Sequence, residues 1–166
     1  MKYWYPVVGS ESITTGDFIL VSHDINENPA FDSFSDWKAK VLEVRALDME
    51  HVYVRVSWLN RPEDLKGGRQ DYHGKNELVP TNQMDIINAQ AVNGTFELIH
   101  YDQLTDENRR SGSGKDIYSW RQTFDFTTRR LSVRLVTNNA RSDISINTLI
   151  DSARYAFAVG LWFPTA

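Results

Sequence analysis

Two consecutive segments, WKAKVLEVRAL at 37–47 and HVYVRVSWLN at 51–60, are separated only by Asp48, Met49 and Glu50. In the second, Val52, Val54, Val56 and Trp58 alternate with Tyr53, Arg55, Ser57 and Leu59. That period of two sends alternate side chains to opposite faces of a strand. Two strands joined by so short a link form an antiparallel hairpin, since a parallel pair needs a crossover of a dozen or so residues. Pro62 ends the second strand, because proline cannot donate to a ladder. With the turn at 48–50, residue 37 falls opposite residues 60–62, so Trp37 and Trp58 are expected to meet where the hairpin opens.

The rest of the chain has the same grain. GDFILVSH (16–23) reads as an apolar strand, followed by a polar, acidic loop at 24–36 that holds Asp24, Glu27, Asp32 and Asp36. Residues 62–78 read as loop, with a helical turn at 62–66 and glycine breaks. The stretch 76–94 reads as a short strand, a turn capped by Thr81 or Asn82, and a connector. TFELIHY (95–101) is a further strand, 102–116 a loop, and 117–136 two strands joined around FTTRR. Many short strands with irregular loops predict a mainly β fold with short helices, built as a small, distorted, open barrel. The tail changes period. Leu149, Ile150, Ala153, Ala156, Phe157 and Leu161 form a helical stripe, with Thr148 and Asp151 in capping-box spacing and Pro164 as a stop, which predicts a helix over 146–160.

Composition removes several function classes. The 166 residues carry 18 basic and 22 acidic side chains, a net charge of −4, which argues against direct nucleic-acid binding. Without cysteine there is no disulfide and no thiolate metal site. The opening MKYWYPVVGSES lacks a signal-peptide core, and the longest apolar run, YAFAVGLWF, is too short to span a bilayer, so a soluble, intracellular protein without a membrane partner is expected. His23, His51, His73 and His100 show no metal-ligand spacing, and there is no nucleophile elbow or phosphate loop. No enzyme, cofactor or metal is expected.

Five stretches, GDFILVSHD, WKAKVLEV, VYVRVSWLNRPEDL, GGRQDYHGKNELVPTNQMDII and YSWRQTFDF, in this order, closely resemble the bromo-adjacent homology (BAH) domain in the version found in fungal chromatin proteins. The resemblance covers a barrel at 12–132 and leaves 133–166 as a divergent tail. It implies a distorted β-barrel that binds chromatin in the nucleus, with a histone tail or nucleosome, or other chromatin proteins, as partner. In several members an aromatic cage holds a methylated lysine, and plant and fungal relatives are associated with the Polycomb-type repressive trimethyl mark. On the family pattern the cage positions fall on Trp37 and Trp58. The third, usually tyrosine, falls on Asn60, and an acidic position that helps hold the cation falls on Asp64, beside Glu63. The zinc-bound finger that often follows the barrel in fungal relatives has no cysteines here to form it.

The chemistry agrees with the resemblance. A trimethylammonium group cannot donate a hydrogen bond, so its site needs ring faces and shape, and tryptophan offers the best face. Nearby carboxylates add attraction at range. Tyr72 and His73 are candidates for a peptide-groove wall, against the plainer reading of a loop histidine satisfied by backbone. Arg61 and Arg69 read as loop-fixing ion pairs, and Trp120 as a core residue. The rival function is a protein-interaction scaffold that no longer reads methyl-lysine, which the amide at Asn60 favours.

Overall fold

The computed structural model describes residues 5–7, 11–22, 36–104 and 117–133. At its centre is the expected hairpin, strand β4 (Trp37–Ala46) paired with β5 (Val52–Asn60). Ala46 faces Val52, Val44 faces Val54, Val41 faces Val56 and Ala39 faces Trp58, with a bulge between Val41 and Glu43 that sets Leu42 out of register. The turn is closed by Asp48, whose Oδ1 accepts the backbone N–H groups of Glu50 and His51, each at 2.8 Å.

Around this hairpin lie β1 (Tyr5–Val7), β2 (Glu11–Ile13), β3 (Phe18–Val21), β6 (Val79–Asn88), β7 (Val92–Phe96), β8 (Leu98–His100), β9 (Tyr118–Trp120), β10 (Gln122–Asp125) and β11 (Arg130–Val133). One sheet runs in the order β11-β10-β6-β5-β4-β3-β7, while β1 pairs with β2 and β8 with β9. The end strands β11 and β7 are not partners, so the sheet is open and mainly antiparallel, with short 3-10 turns as its only described helices. Gly16 turns the chain into β3 with φ at +100°, a region where a side chain is strained.

The two faces of the hairpin bury different clusters. Ile19, Val21, Ala39, Val41, Val44, Val52, Val54 and Val56 pack together with Ala89, Ala91 and Val92. The β-branched isoleucine and valines that dominate this cluster suit a pleated, buried surface. On the opposite face Leu59, Leu78 and Tyr118 gather with Phe18, Phe96 and Leu98 packed against them. Trp120 is half-buried and packs against the cluster at Leu42, as its reading as a core residue expects.

Besides strands β1 and β2 and the division of the first strand expected over 117–136 into β9 and β10, the structure differs from the sequence reading at two places near the site. Residues 79–88 are one ten-residue strand, not a short strand followed by a turn at Thr81 or Asn82. Their polarity serves bonds across the fold. Thr81 Oγ1 donates to the Trp58 carbonyl at 2.8 Å, while Asn82 donates to Asp125 Oδ1 at 2.7 Å and accepts the Phe126 N–H at 2.8 Å. The ladder absorbs them through a register shift between Ser57 and Leu59. The second difference is that the expected strand 95–101 is divided. β7 stays in the main sheet, and beyond Glu97 the chain leaves it so that β8 can pair in parallel with β9. The helix expected over 146–160 lies outside the described residues.

Candidate functional site

Strand alternation puts Trp37, Ala39 and Val41 on one face of β4, and Val54, Val56 and Trp58 on the matching face of β5. Both tryptophans therefore stand at the end of the valine-rich core. Their ring centroids are 5.4 Å apart and their planes meet at 84°, the edge-to-face geometry that aromatic quadrupoles favour. Trp58 is half-buried and packs on the core cluster, whereas Trp37 is 50% exposed. One ring is anchored and the other is half exposed. Lys38 pairs with Leu59, so continuing the register sets Trp37 across from Asn60, within the span expected from the turn. Asn60, the last residue of β5, pairs on its other side with Val79 of β6, and alternation puts it on the same face of β5 as Trp58.

Asp64 and Glu63 lie in the 3-10 turn Pro62–Asp64 directly after β5. Each is engaged by an arginine. Arg61 donates to Asp64 through Nε at 3.0 Å and Nη2 at 3.2 Å, and this hydrogen bonding to the Asp64 carboxylate raises the pKa of Arg61 above its ordinary value. Arg69 reaches Glu63 with Nε at 3.0 Å and Nη2 at 2.9 Å, and its Nη1 donates to the Gly74 carbonyl at 2.6 Å. These two arginines fix the loop, as the sequence suggested.

Tyr72 and His73 form a separate contact, with ring centroids 4.4 Å apart. His73 Nδ1 accepts the Gln70 N–H at 2.8 Å, which leaves the proton on Nε2 to donate to Gln122 Oε1 at 2.9 Å. Gln122 in turn donates to the Tyr72 hydroxyl at 3.0 Å. The Tyr72 ring, itself 50% exposed, makes its ring contact with His73 and not with the tryptophans.

Sequence reasoning missed what holds this loop in place. Glu77 is buried with 0% of its side chain exposed. It takes Arg121 Nε at 2.8 Å and Nη2 at 2.9 Å, and the Gly74 N–H at 2.9 Å. Arg121 also donates to the Tyr72 carbonyl at 2.8 Å and lies 3.8 Å from the centroid of the Tyr101 ring. A bidentate guanidinium–carboxylate pair with both carboxylate oxygens hydrogen-bonded is the form in which burial of two charges is tolerated. The signal was on the page. Asn-Glu-Leu and Trp-Arg-Gln, two of the motifs that carry the family resemblance, are the two halves of this contact.

The architecture is an open, distorted β-barrel with an aromatic pair, Trp37 and Trp58, at one end of its main sheet. The family model for the BAH domain matches residues 11–133, and the chain belongs to that family. Among relatives, the Chromatin remodeling protein SHL of Arabidopsis thaliana is 25% identical over 142 residues, covering 83% of this chain and 57% of that protein. The Chromatin remodeling protein EBS of the same plant is 28% identical over 91 residues, or 54% of this chain and 36% of its own. The chain thus spans a little over half of one relative and about a third of the other. The crystal structure of the yeast Rsc2 BAH domain superposes with a TM-score of 0.56 at 15% identity, over 80% of this chain and 53% of that one, a likeness of fold.

Proposed function

We propose that this domain is a nuclear chromatin reader, a binding module and not an enzyme, that takes a histone tail by a trimethylated lysine of the Polycomb-type repressive mark. The observation that carries the reading is the rim pair Trp37 and Trp58, 5.4 Å apart at 84°, one ring seated on the core and the other half exposed. Two ring faces at such an angle form a corner that a compact cation can enter. On the usual scale each contributes roughly 0.5–2 kcal/mol. A trimethylammonium is favoured over an unmodified ammonium there, because it is weakly hydrated and has no N–H bonds left to satisfy. Membership of the BAH family, together with similarity to two plant proteins named as chromatin remodeling proteins, supports the nucleosome as the setting.

Calorimetric titration with one histone-tail peptide carrying zero, one, two or three methyl groups tests this reading. Affinity is expected to rise with methylation and to fall to that of the unmodified peptide in Trp37→Ala. Asn60 favours the rival reading of a scaffold that binds a chromatin protein without regard to methylation. Equal, measurable affinity for all four peptides favours that rival, and no binding to any of them refutes the reader reading for that tail.

A further inference from the structure

We infer that Asp36 supplies the negative charge at the tryptophan site, in place of Asp64; the inference rests on the methyl-lysine reading above. Three described carboxylates adjoin the site in sequence, and their partners differ. Asp64 is held by two hydrogen bonds from Arg61, and Glu63 by Arg69 at 2.9 Å. Each of these charges is offset inside its own loop, and freeing it to meet a ligand would strand an arginine. Asp36, the residue before Trp37, has a different environment. Its Oδ2 accepts from the Asn93 amide at 3.1 Å, a neutral donor, and its carboxylate makes no ion pair among the described residues.

Position fixes it near the rings. Val21 of β3 pairs with Trp37 on one side and with Val92 of β7 on the other. The Asp36–Asn93 bond therefore bridges the end of β3 at the same end of the sheet as Trp37. The Lys38 ammonium donates at 2.7 Å to the Asp36 backbone carbonyl, which secures the main chain one residue before the exposed ring. Adjacent Cα atoms are about 3.8 Å apart, so the carboxylate stays within roughly 10 Å of a cation resting on Trp37. At that range in a solvent-exposed site the attraction is worth about two- to fivefold in affinity at low salt, and it fades as the screening length falls to about 8 Å.

The test is titration of the intact chain, and of Asp36→Asn, Asp64→Asn and Trp37→Ala, with a trimethyl-lysine histone-tail peptide and with its neutral tert-butyl isostere, at low and at physiological salt. The isostere peptide keeps every other charge, so the ratio of the two affinities isolates the lysine's own. Asp36→Asn is expected to lower that ratio two- to fivefold at low salt without shifting the melting temperature, since the substituted amide's oxygen still accepts from Asn93. Asp64→Asn is expected to leave the ratio unchanged. A wild-type ratio in Asp36→Asn, or a loss confined to Asp64→Asn, overturns the inference while leaving the reader intact. If Trp37→Ala binds the charged peptide as the wild type does, the reading fails and the inference with it.

Discussion

Trp37→Ala and Trp58→Ala are expected to act on different quantities. Trp58 packs on the valine cluster, and truncating a well-packed tryptophan costs about 3–5 kcal/mol of stability. Trp37 is 50% exposed. It withdraws roughly 100 Å² of ring from water, which at about 25 cal/mol/Å² gives an upper limit near 2.5 kcal/mol. The compactness of real unfolded chains lowers this to about 1.5–2 kcal/mol, and water fills the space left at a rim, so no cavity term is added. Its loss from the cation site weakens trimethyl-lysine binding by roughly 0.5–2 kcal/mol, or about two- to thirtyfold. Urea denaturation of each variant gives the stability change, and calorimetry on the folded fraction gives the affinity change. Trp37→Ala should retain a cooperative transition and lose binding. Trp58→Ala should lose both, with Trp58→Phe recovering most of the stability. The reasoning is refuted if Trp37→Ala is destabilised as much as Trp58→Ala and its binding loss merely tracks the unfolded fraction.

Arg121→Met leaves Glu77 buried without its cation, and removal of one partner from such a pair costs about 3–5 kcal/mol; the urea midpoint should fall far more than in Arg61→Met, whose partner Asp64 is exposed. Asp125 is drawn below its ordinary pKa, because burial, which pushes it up, is outweighed by hydrogen bonds from the Thr128 N–H, the Asn82 amide and the Thr127 N–H. Its stabilisation is present above the unfolded-state value near 3.8 and is lost as pH falls through the depressed folded value, so the gap in melting temperature between wild type and Asp125→Ala should narrow below about pH 4. Deleting residues 134–166 should leave the barrel folded with a cooperative melt, since the residues matched by the family model end at 133; an insoluble or molten product would place Leu149, Ile150 and Phe157 in the main core.

The hairpin was legible because its information is local. Alternation sets the faces and the short turn sets the register, and together they bring Trp37 to Trp58. The polar run at 81–82 misled for the opposite reason. Thr81 and Asn82 carry turn chemistry, and Thr81 Oγ1 accepts the Gln83 N–H at 3.3 Å, yet their shorter bonds reach Trp58, Asp125 and Phe126, up to 44 residues away, and these long-range partners override local preference. Glu77 and Arg121 were hidden in the same way, since a charged side chain reads as solvated until its mate, also 44 residues distant, is known. His73 shows the limit of reading a residue by type. Its reading as a backbone-satisfied loop histidine holds for Nδ1, while the other ring nitrogen meets Gln122, 49 residues on.

Asn60→Tyr is where fold and function can be separated most cleanly. The substituted ring would lie at the open end of β5, across the hairpin from Trp37, and an amide has no ring face with which to do the same work. Adding one ring to the site should strengthen trimethyl-lysine binding by roughly 0.5–2 kcal/mol, about two- to thirtyfold, and leave the unmodified peptide nearly unchanged. The cost to the fold should be small, because Asn60 ends its strand beside Arg61 and Pro62 and tyrosine is a good strand former. Calorimetry with the trimethylated peptide and its tert-butyl isostere divides the gain into charge and contact. A gain confined to the charged ligand identifies a cation–π wall. Equal gains for both ligands indicate apolar contact alone, and no gain with an unchanged melting curve shows that position 60 does not face the ligand, which would shift the balance to a scaffold that ignores methylation.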